Sequence, residues 1–211
     1  MKKIYFVRHG QSEGNSGPIR QTAETPLTEK GREQAQIVAK RCKNIPTELM
    51  VCSTMVRTRQ TADAILAEVP QPVEYSDLFV ERRRTSDELG KPKDDPKALE
   101  VEKVIVEHFA EPGFRYSDEE NFDDLKERAK KALEYLANRP EETILVVSHG
   151  FFMRVLMSYV VFGDELTGKE CQQFIRKFET ENTSISVIEG MPVPLGMRWS
   201  MWIWNDHAHL G

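Results

Sequence analysis

Two histidines and two arginines stand at or just beyond the ends of apolar runs in this chain, and their types suit phosphoryl chemistry. Arg8 and His9 follow IYFV in "KKIYFVRHGQSEGN", Ser148, His149 and Gly150 close "TILVVSHG", and Ser53 ends "ELMVCS" with Arg57 shortly after it. A buried apolar strand does not usually finish on guanidinium and imidazole groups unless something beyond the strand end needs them. Guanidinium forks match phosphate oxygens in a bidentate way, and the main-chain N–H groups of a helix opening near Gly150 supply further donors. Such a cluster carries too much positive charge to stay empty, so it predicts a bound anion.

These residues meet only if the strands lie side by side. IYFV and TILVVS are continuous apolar runs, as expected for central strands covered on both faces. Between them Thr28 caps a helix whose apolar face is Ala35, Val38, Ala39 and Cys42, and "TRQTADAILAEV" reads as another helix behind ELMVCS. Strand and helix alternate, which predicts an α/β fold, a largely parallel sheet between helical layers, with the carboxyl ends of the strands opening on one crevice. Asp95 and Pro96 open a helix faced by Val101, Val104, Ile105 and Phe109, and Ser117 with Glu120 reads as a capping box for a long helix carrying Leu125, Ala129, Ala132, Leu133 and Leu136. Pro140 ends that helix. Another helix, "FFMRVLMSYVVF", follows His149, Thr167 and Glu170 open one more, and "SISVI" with "MRWSMWIW" suggests a closing hairpin at the sheet edge.

The 211 residues suffice for one domain, 1–211, within which the charged, Pro/Gly-punctuated stretch 82–122 reads as a small helical insertion. With 29 basic and 34 acidic side chains, a net charge of −5, and no dense basic block, nucleic acid and anionic membranes are poor partners. No run approaches a membrane span and only four apolar residues precede Arg8, too few for a signal peptide. The three cysteines, Cys42, Cys52 and Cys171, are scattered, which argues against disulfides and zinc and for a reduced, cytoplasmic protein.

In chain order, "FVRHGQSEGN", "TPLTEKGREQA", "CSTMVRTRQTA", Glu81 after "DLFV", and "VVSHG" together resemble the histidine phosphatase superfamily, the phosphoglycerate mutase-like branch 1, from residue 4 to about 154. The resemblance implies a three-layer α/β/α sandwich with the insertion over the active site. It implies that His9 is the nucleophile and forms a phosphohistidine, that Arg8, Arg57 and His149 neutralise the phosphoryl oxygens, and that Asn15 hydrogen-bonds the phosphate, with Ser12 and Gly150 as further phosphate contacts. Glu81 would protonate the leaving oxygen and then activate water. No metal and no cofactor is implied, and the partner is a small phosphorylated substrate.

Several residues compete for these roles. Arg59 rivals Arg57, and Asp87 and Glu88 rival Glu81. Cys52 and Arg57 resemble a cysteine-phosphatase loop, but with four residues between them instead of five. Asp206, His207 and His209 read as structural or rim residues. Departures from the mutase pattern favour hydrolysis: Gly14 stands where a mutase carries Trp before the asparagine, and "RRRTS" replaces a tyrosine-glycine pair after Glu81. A phosphoglycerate mutase-type phosphotransferase and a non-catalytic phosphate-binding module are the alternatives. Arg82, Arg83 and Arg84 either reach a second anionic group or form a solvated patch, and "WSMWIW" either closes the core or pairs a homodimer.

Overall fold

β1 (Lys2–Arg8) lies near the middle of the sheet because its side chains serve two cores at once. In the computed structural model, which describes residues 1–194 and 196–211, Ile4 and Phe6 point into one apolar layer and Val7 into the other. β2 (Leu49–Cys52) and β4 (Thr143–Ser148) alternate in the same way, which is why their sequences read as unbroken apolar runs. With β3 (Val73–Tyr75), β5 (Ile185–Val193) and β6 (Gly196–Asp206) they form a six-stranded sheet in the order β3-β2-β4-β1-β5-β6. The first four strands in that order are parallel, and β5 and β6 are antiparallel additions at one edge.

Helices cover both faces. α2 (Glu29–Cys42) and α3 (Val56–Glu68) pack Val38, Ala39, Ala62 and Ile65 on one side. α5 (Phe122–Ala137), α6 (Gly150–Phe162) and α7 (Gly168–Lys177) fill the other with Leu125, Leu136, Phe152 and Phe174. A single-turn α1 (Glu13–Ser16) follows β1, and α4 (Pro96–His108) starts at Asp95, whose side chain accepts from the Ala98 N–H. α1 and β3 carry too few residues to show a period, so neither is legible in the sequence.

The capping box expected at Ser117 forms four residues later. Asn121 is the cap of α5, exchanging hydrogen bonds with Asp124. Glu120 is unavailable for the earlier box because its carboxylate binds Arg128 at 2.7 and 2.8 Å and accepts from the Arg83 N–H at 2.8 Å. Glu119 instead folds 116–119 into a loop by accepting from Tyr116 and Ser117 main-chain N–H groups.

The chain between Phe79 and α5 contributes α4 and lies against the loop after α1. The Lys93 N–H donates to the Pro18 carbonyl at 2.7 Å, the Arg20 N–H to the Lys91 carbonyl at 2.9 Å, and the Arg20 guanidinium pairs with Glu102 at 2.8 Å. The closing hairpin forms as expected. Trp199, Met201 and Trp204 of β6 turn to the core, whereas Trp202 on the other face is 67% exposed.

Candidate active site

Register, more than sequence spacing, assembles the site. Arg8 of β1 pairs with Ser148 of β4, Val147 of β4 pairs with Cys52 of β2, and so the three strands run out at one level. The His9 N–H continues the ladder to the Ser148 carbonyl at 3.1 Å, and the Ser53 N–H to the Val147 carbonyl at 3.0 Å. His9 and His149 therefore face each other with ring centroids 5.1 Å apart. Both are buried, at 2% and 0% exposure.

The hydrogen bonds of His9 determine its chemistry. Its Nδ1 lies 2.7 Å from the Gly10 carbonyl oxygen, which can only accept, so Nδ1 carries the proton and the lone pair is on Nε2. Burial holds the imidazole well below its ordinary pKa, and Arg57 and then Arg8 push it in the same direction. Burial, followed by Arg57 and His9, does the same to His149. The Nε2 of His149 is 2.8 Å from the Ser53 hydroxyl, and its buried Nδ1 has no partner among the described residues.

Arg57, 1% exposed, is the arginine that enters the site; Arg59 is exposed and stacks over Tyr75. One Arg57 nitrogen donates to the Thr22 carbonyl at 2.9 Å and another approaches Met55 Sδ at 3.1 Å. Arg8 donates to the Thr180 carbonyl. The Nε atoms of both are buried without a partner, and neither guanidinium is within ion-pair distance of a carboxylate among the described residues. Burial, relieved only in part by Glu81, pushes Arg57 down to about 10. Gly150 is needed beside Arg8: an added Cβ would lie 3.0 Å from Arg8 Nε and 2.9 Å from Thr180 Oγ1.

Glu81 reaches the N-terminus of α6, where its carboxylate accepts from the main-chain N–H groups of Phe152 at 3.0 Å, Phe151 at 3.3 Å and Arg82 at 3.0 Å. Its rivals are committed elsewhere: buried Glu88 pairs with Arg84, and Asp87 with Lys97 at 2.6 Å. Glu81 and Arg57 both line a cavity of about 440 Å³ that opens the site to solvent. Asn15 is half-buried nearby, and Asn182 ties it in by donating from Nδ2 to the His9 carbonyl at 2.9 Å and towards Asn15 Oδ1 at 3.5 Å.

Ser12 has a different position from the other phosphate candidates. It is fully buried as the N-cap of α1, and its hydroxyl contacts Asn15 Oδ1 and Gln21 Oε1, each at 3.0 Å. Its place is thus behind Asn15, fixing that side chain. Cys52 is a buried strand thiol raised to about 12 by burial, which leaves it no thiolate for nucleophilic chemistry near neutral pH. Asp206 pairs with Arg41 on the far side of the hairpin. Thr22, Thr180 and Asn182, which orient the cluster, lie in polar loops where no spacing marks them.

The histidines make stability depend on pH. An imidazole lowered by folding binds fewer protons than the unfolded chain, so its stabilisation is present above the unfolded pKa of about 6.5 and drains away as pH falls below it. Each buried histidine can contribute a slope of up to about 1.4 kcal/mol per pH unit below that point. Urea midpoints should fall between pH 7 and 5, and His9→Gln with His149→Gln should flatten the decline. A midpoint that holds steady, or an equally steep fall in the double variant, would contradict neutral imidazoles.

The strand ends of this α/β sheet thus gather two buried histidines and two arginines that have no carboxylate partner among the described residues, with Arg57 and Glu81 lining an open cavity. The family model for histidine phosphatase superfamily (branch 1) matches residues 4–201, and the chain belongs to that family. It is similar to a probable phosphoglycerate mutase GpmB of Photorhabdus laumondii, with 30% identity over 219 residues covering 100% of this chain and 95% of the relative. Among solved structures, Bacillus stearothermophilus YhfR superposes with a TM-score of 0.84 at 26% identity, covering 100% of both chains. A mycobacterial glucosyl-3-phosphoglycerate phosphatase complexed with VO3 shares the fold at a TM-score of 0.79 and 20% identity, covering 98% of this chain and 100% of the other.

Proposed function

We propose that this protein is a phosphomonoester hydrolase that works through a phosphohistidine on His9 and acts on a small phosphorylated substrate. The observation that carries the reading is the state of His9: buried, uncharged, its proton on Nδ1, with Arg8, Arg57 and His149 around it. His9 Nε2 attacks phosphorus as the bond to the leaving oxygen breaks, and that oxygen takes a proton from the protonated carboxyl of Glu81. Water then attacks the phosphohistidine, giving a proton to Glu81, and the N–P electron pair returns to Nε2. Arg8, Arg57 and the Nδ1 of His149 bind the equatorial oxygens, exchanging unsatisfied polar groups for charge-assisted hydrogen bonds. Asn15 binds the phosphate, Ser12 holds Asn15, and Gly150 gives room to Arg8 and an N–H to the anion.

The relatives' names include both mutases and phosphatases, and hydrolysis fits this chain better. Gly14 is buried against Gln21, where an added Cβ would come 1.9 Å from Cγ, so a tryptophan at this position would require the Gln21 side chain to move away. The segment 82–122 acts as the cap that sets specificity, and three buried free thiols suit the reducing cytoplasm. The test is inorganic phosphate release from phosphorylated metabolites and p-nitrophenyl phosphate with water as the only acceptor. Net release supports the hydrolase. Isomerised ester without net phosphate would make the chain a mutase, and tight phosphate binding without turnover would make it a binding module.

A further inference from the structure

We propose that Gln34 of α2 is a positioning residue for the nucleophile: it holds the Gly10–Gln11 peptide plane, whose carbonyl keeps the proton of His9 on Nδ1 and so leaves the lone pair on Nε2. The proposal deepens the hydrolase reading and rests on it for the role of His9.

The run "TPLTEKGREQA" supplies no side chain to the cavity wall. What it supplies is a surface on which the chain after His9 rests. An added Cβ at Gly10 would lie 2.3 Å from the Gly31 carbonyl oxygen, and one at Gly31 would lie 1.9 Å from the Gln11 carbonyl oxygen, so these glycines let main chain touch main chain. Thr28, the N-cap of α2, donates from its main-chain N–H to the Gln11 carbonyl at 2.9 Å.

Consecutive peptides at this junction are each held by a different group. The His9–Gly10 peptide has its carbonyl on Asn182 Nδ2 at 2.9 Å and its N–H on Thr61 Oγ1 at 3.1 Å. The peptide after Gln11 has its carbonyl on Thr28. Between them, the Gly10–Gln11 peptide has its carbonyl oxygen 2.7 Å from His9 Nδ1, and its N–H donates to Gln34 Oε1 at 2.9 Å. A trans peptide is planar, with its C=O and N–H pointing opposite ways, so fixing the N–H aims the carbonyl. Gly10 has no Cβ to resist a flip of that plane, which leaves the task to the half-buried Gln34. Glu33 and Gln36 on the same helix are exposed and take no part.

The consequence falls on the imidazole. A neutral imidazole carries one proton, and if that proton moves to Nε2 the attacking nitrogen becomes a donor. A carbonyl held against Nδ1 accepts only from the protonated form of that nitrogen and so selects the reactive tautomer. The bond to Gln34 also polarises the same amide, which makes its oxygen a better acceptor.

The experiment replaces Gln34 with Met, of similar length but without the oxygen, and with Glu, which keeps an acceptor oxygen. Ring-nitrogen NMR of histidine-labelled protein, with the His9 signals assigned by their loss in His9→Ala, reads the tautomer without substrate. Wild type should show His9 protonated at Nδ1, Gln34→Met should move a measurable share of the proton to Nε2, and Gln34→Glu should restore the wild-type pattern. With p-nitrophenyl phosphate, Gln34→Met should lower kcat by ~10- to 100-fold, the scale of one lost hydrogen bond, with KM within about threefold of wild type. Gln36→Met should match wild type in both readouts. Thermal unfolding checks that each variant folds, and Gln34→Ala is read in the same way if Gln34→Met does not. If the tautomer is unchanged in Gln34→Met, or if Gln34→Glu behaves like Gln34→Met, the positioning role is wrong, and phosphate release by the wild type leaves the hydrolase standing. If the wild type hydrolyses no ester, yet the Nδ1 proton is lost in Gln34→Met and kept in Gln34→Glu, the positioning role stands and the hydrolase reading fails.

Discussion

Replacing His9 with alanine should lower phosphate release by about four orders of magnitude or more, because in the proposed mechanism it removes the atom that would form the intermediate and leaves only binding and charge stabilisation. The arginines, His149 and Glu81 all remain in His9→Ala, so substrate affinity should change far less than kcat. A chemical signature accompanies the kinetics. Wild-type enzyme quenched in base after mixing with labelled substrate should retain label on one histidine, and acid should release it, as expected for an N–P bond. Retention of rapid turnover in His9→Ala, or label on a residue other than His9, would remove His9 from the centre of the mechanism. A structural explanation for the loss is checked by thermal unfolding. Since protonating buried His9 opposes folding, alanine should lessen acid sensitivity even where it costs packing.

The second large effect belongs to Glu81 and depends on the leaving group. Glu81→Gln should slow hydrolysis of an alkyl phosphate by ~10²- to 10⁴-fold, since the alkoxide then departs without a proton. The loss should be much smaller for p-nitrophenyl phosphate, whose phenolate leaves unaided, unless hydrolysis of the phosphohistidine becomes limiting. In that case p-nitrophenol appears in a burst followed by slow turnover. An equal loss on both substrates without a burst would reduce Glu81 to a positioning residue at the start of α6. The three N–H donors that hold Glu81 are main-chain groups that stay in place in Glu81→Gln, and the amide oxygen can still accept from two of them, Phe152 and Arg82, while the weaker 3.3 Å contact to Phe151 is lost.

Placing these two residues required different kinds of information. His9 was legible because a strand that ends on Arg-His-Gly violates the apolar pattern around it, and His149 was legible for the same reason at the end of β4. Such local departures survive in the sequence because they need no partner to be noticed. Glu81 sits in a charge run, and what separates it from Asp87 and Glu88 is that Lys97 and Arg84 engage the other two. The same holds for Arg57 against Arg59, where a helical turn decides which guanidinium is buried, and for the box misplaced at Ser117, where Glu120 is drawn off by Arg128.

Residue type, apolar period and caps settled most of the elements, α1 and β3 excepted, and which chemistry is carried, down to two histidines and two arginines at strand ends. Packing settled the rest. The pairing of Arg8 with Ser148 puts two histidines 5.1 Å apart although 140 positions separate them in the chain. Packing elsewhere makes Ser12 a support for Asn15 and engages Arg83 with the Asp118 carbonyl and Arg84 with Glu88. The physical reason is one of range. Strand alternation and helix capping are set by neighbours a few residues away, whereas the protonation, burial and pairing of a charge depend on groups that only tertiary contacts bring within a few ångströms.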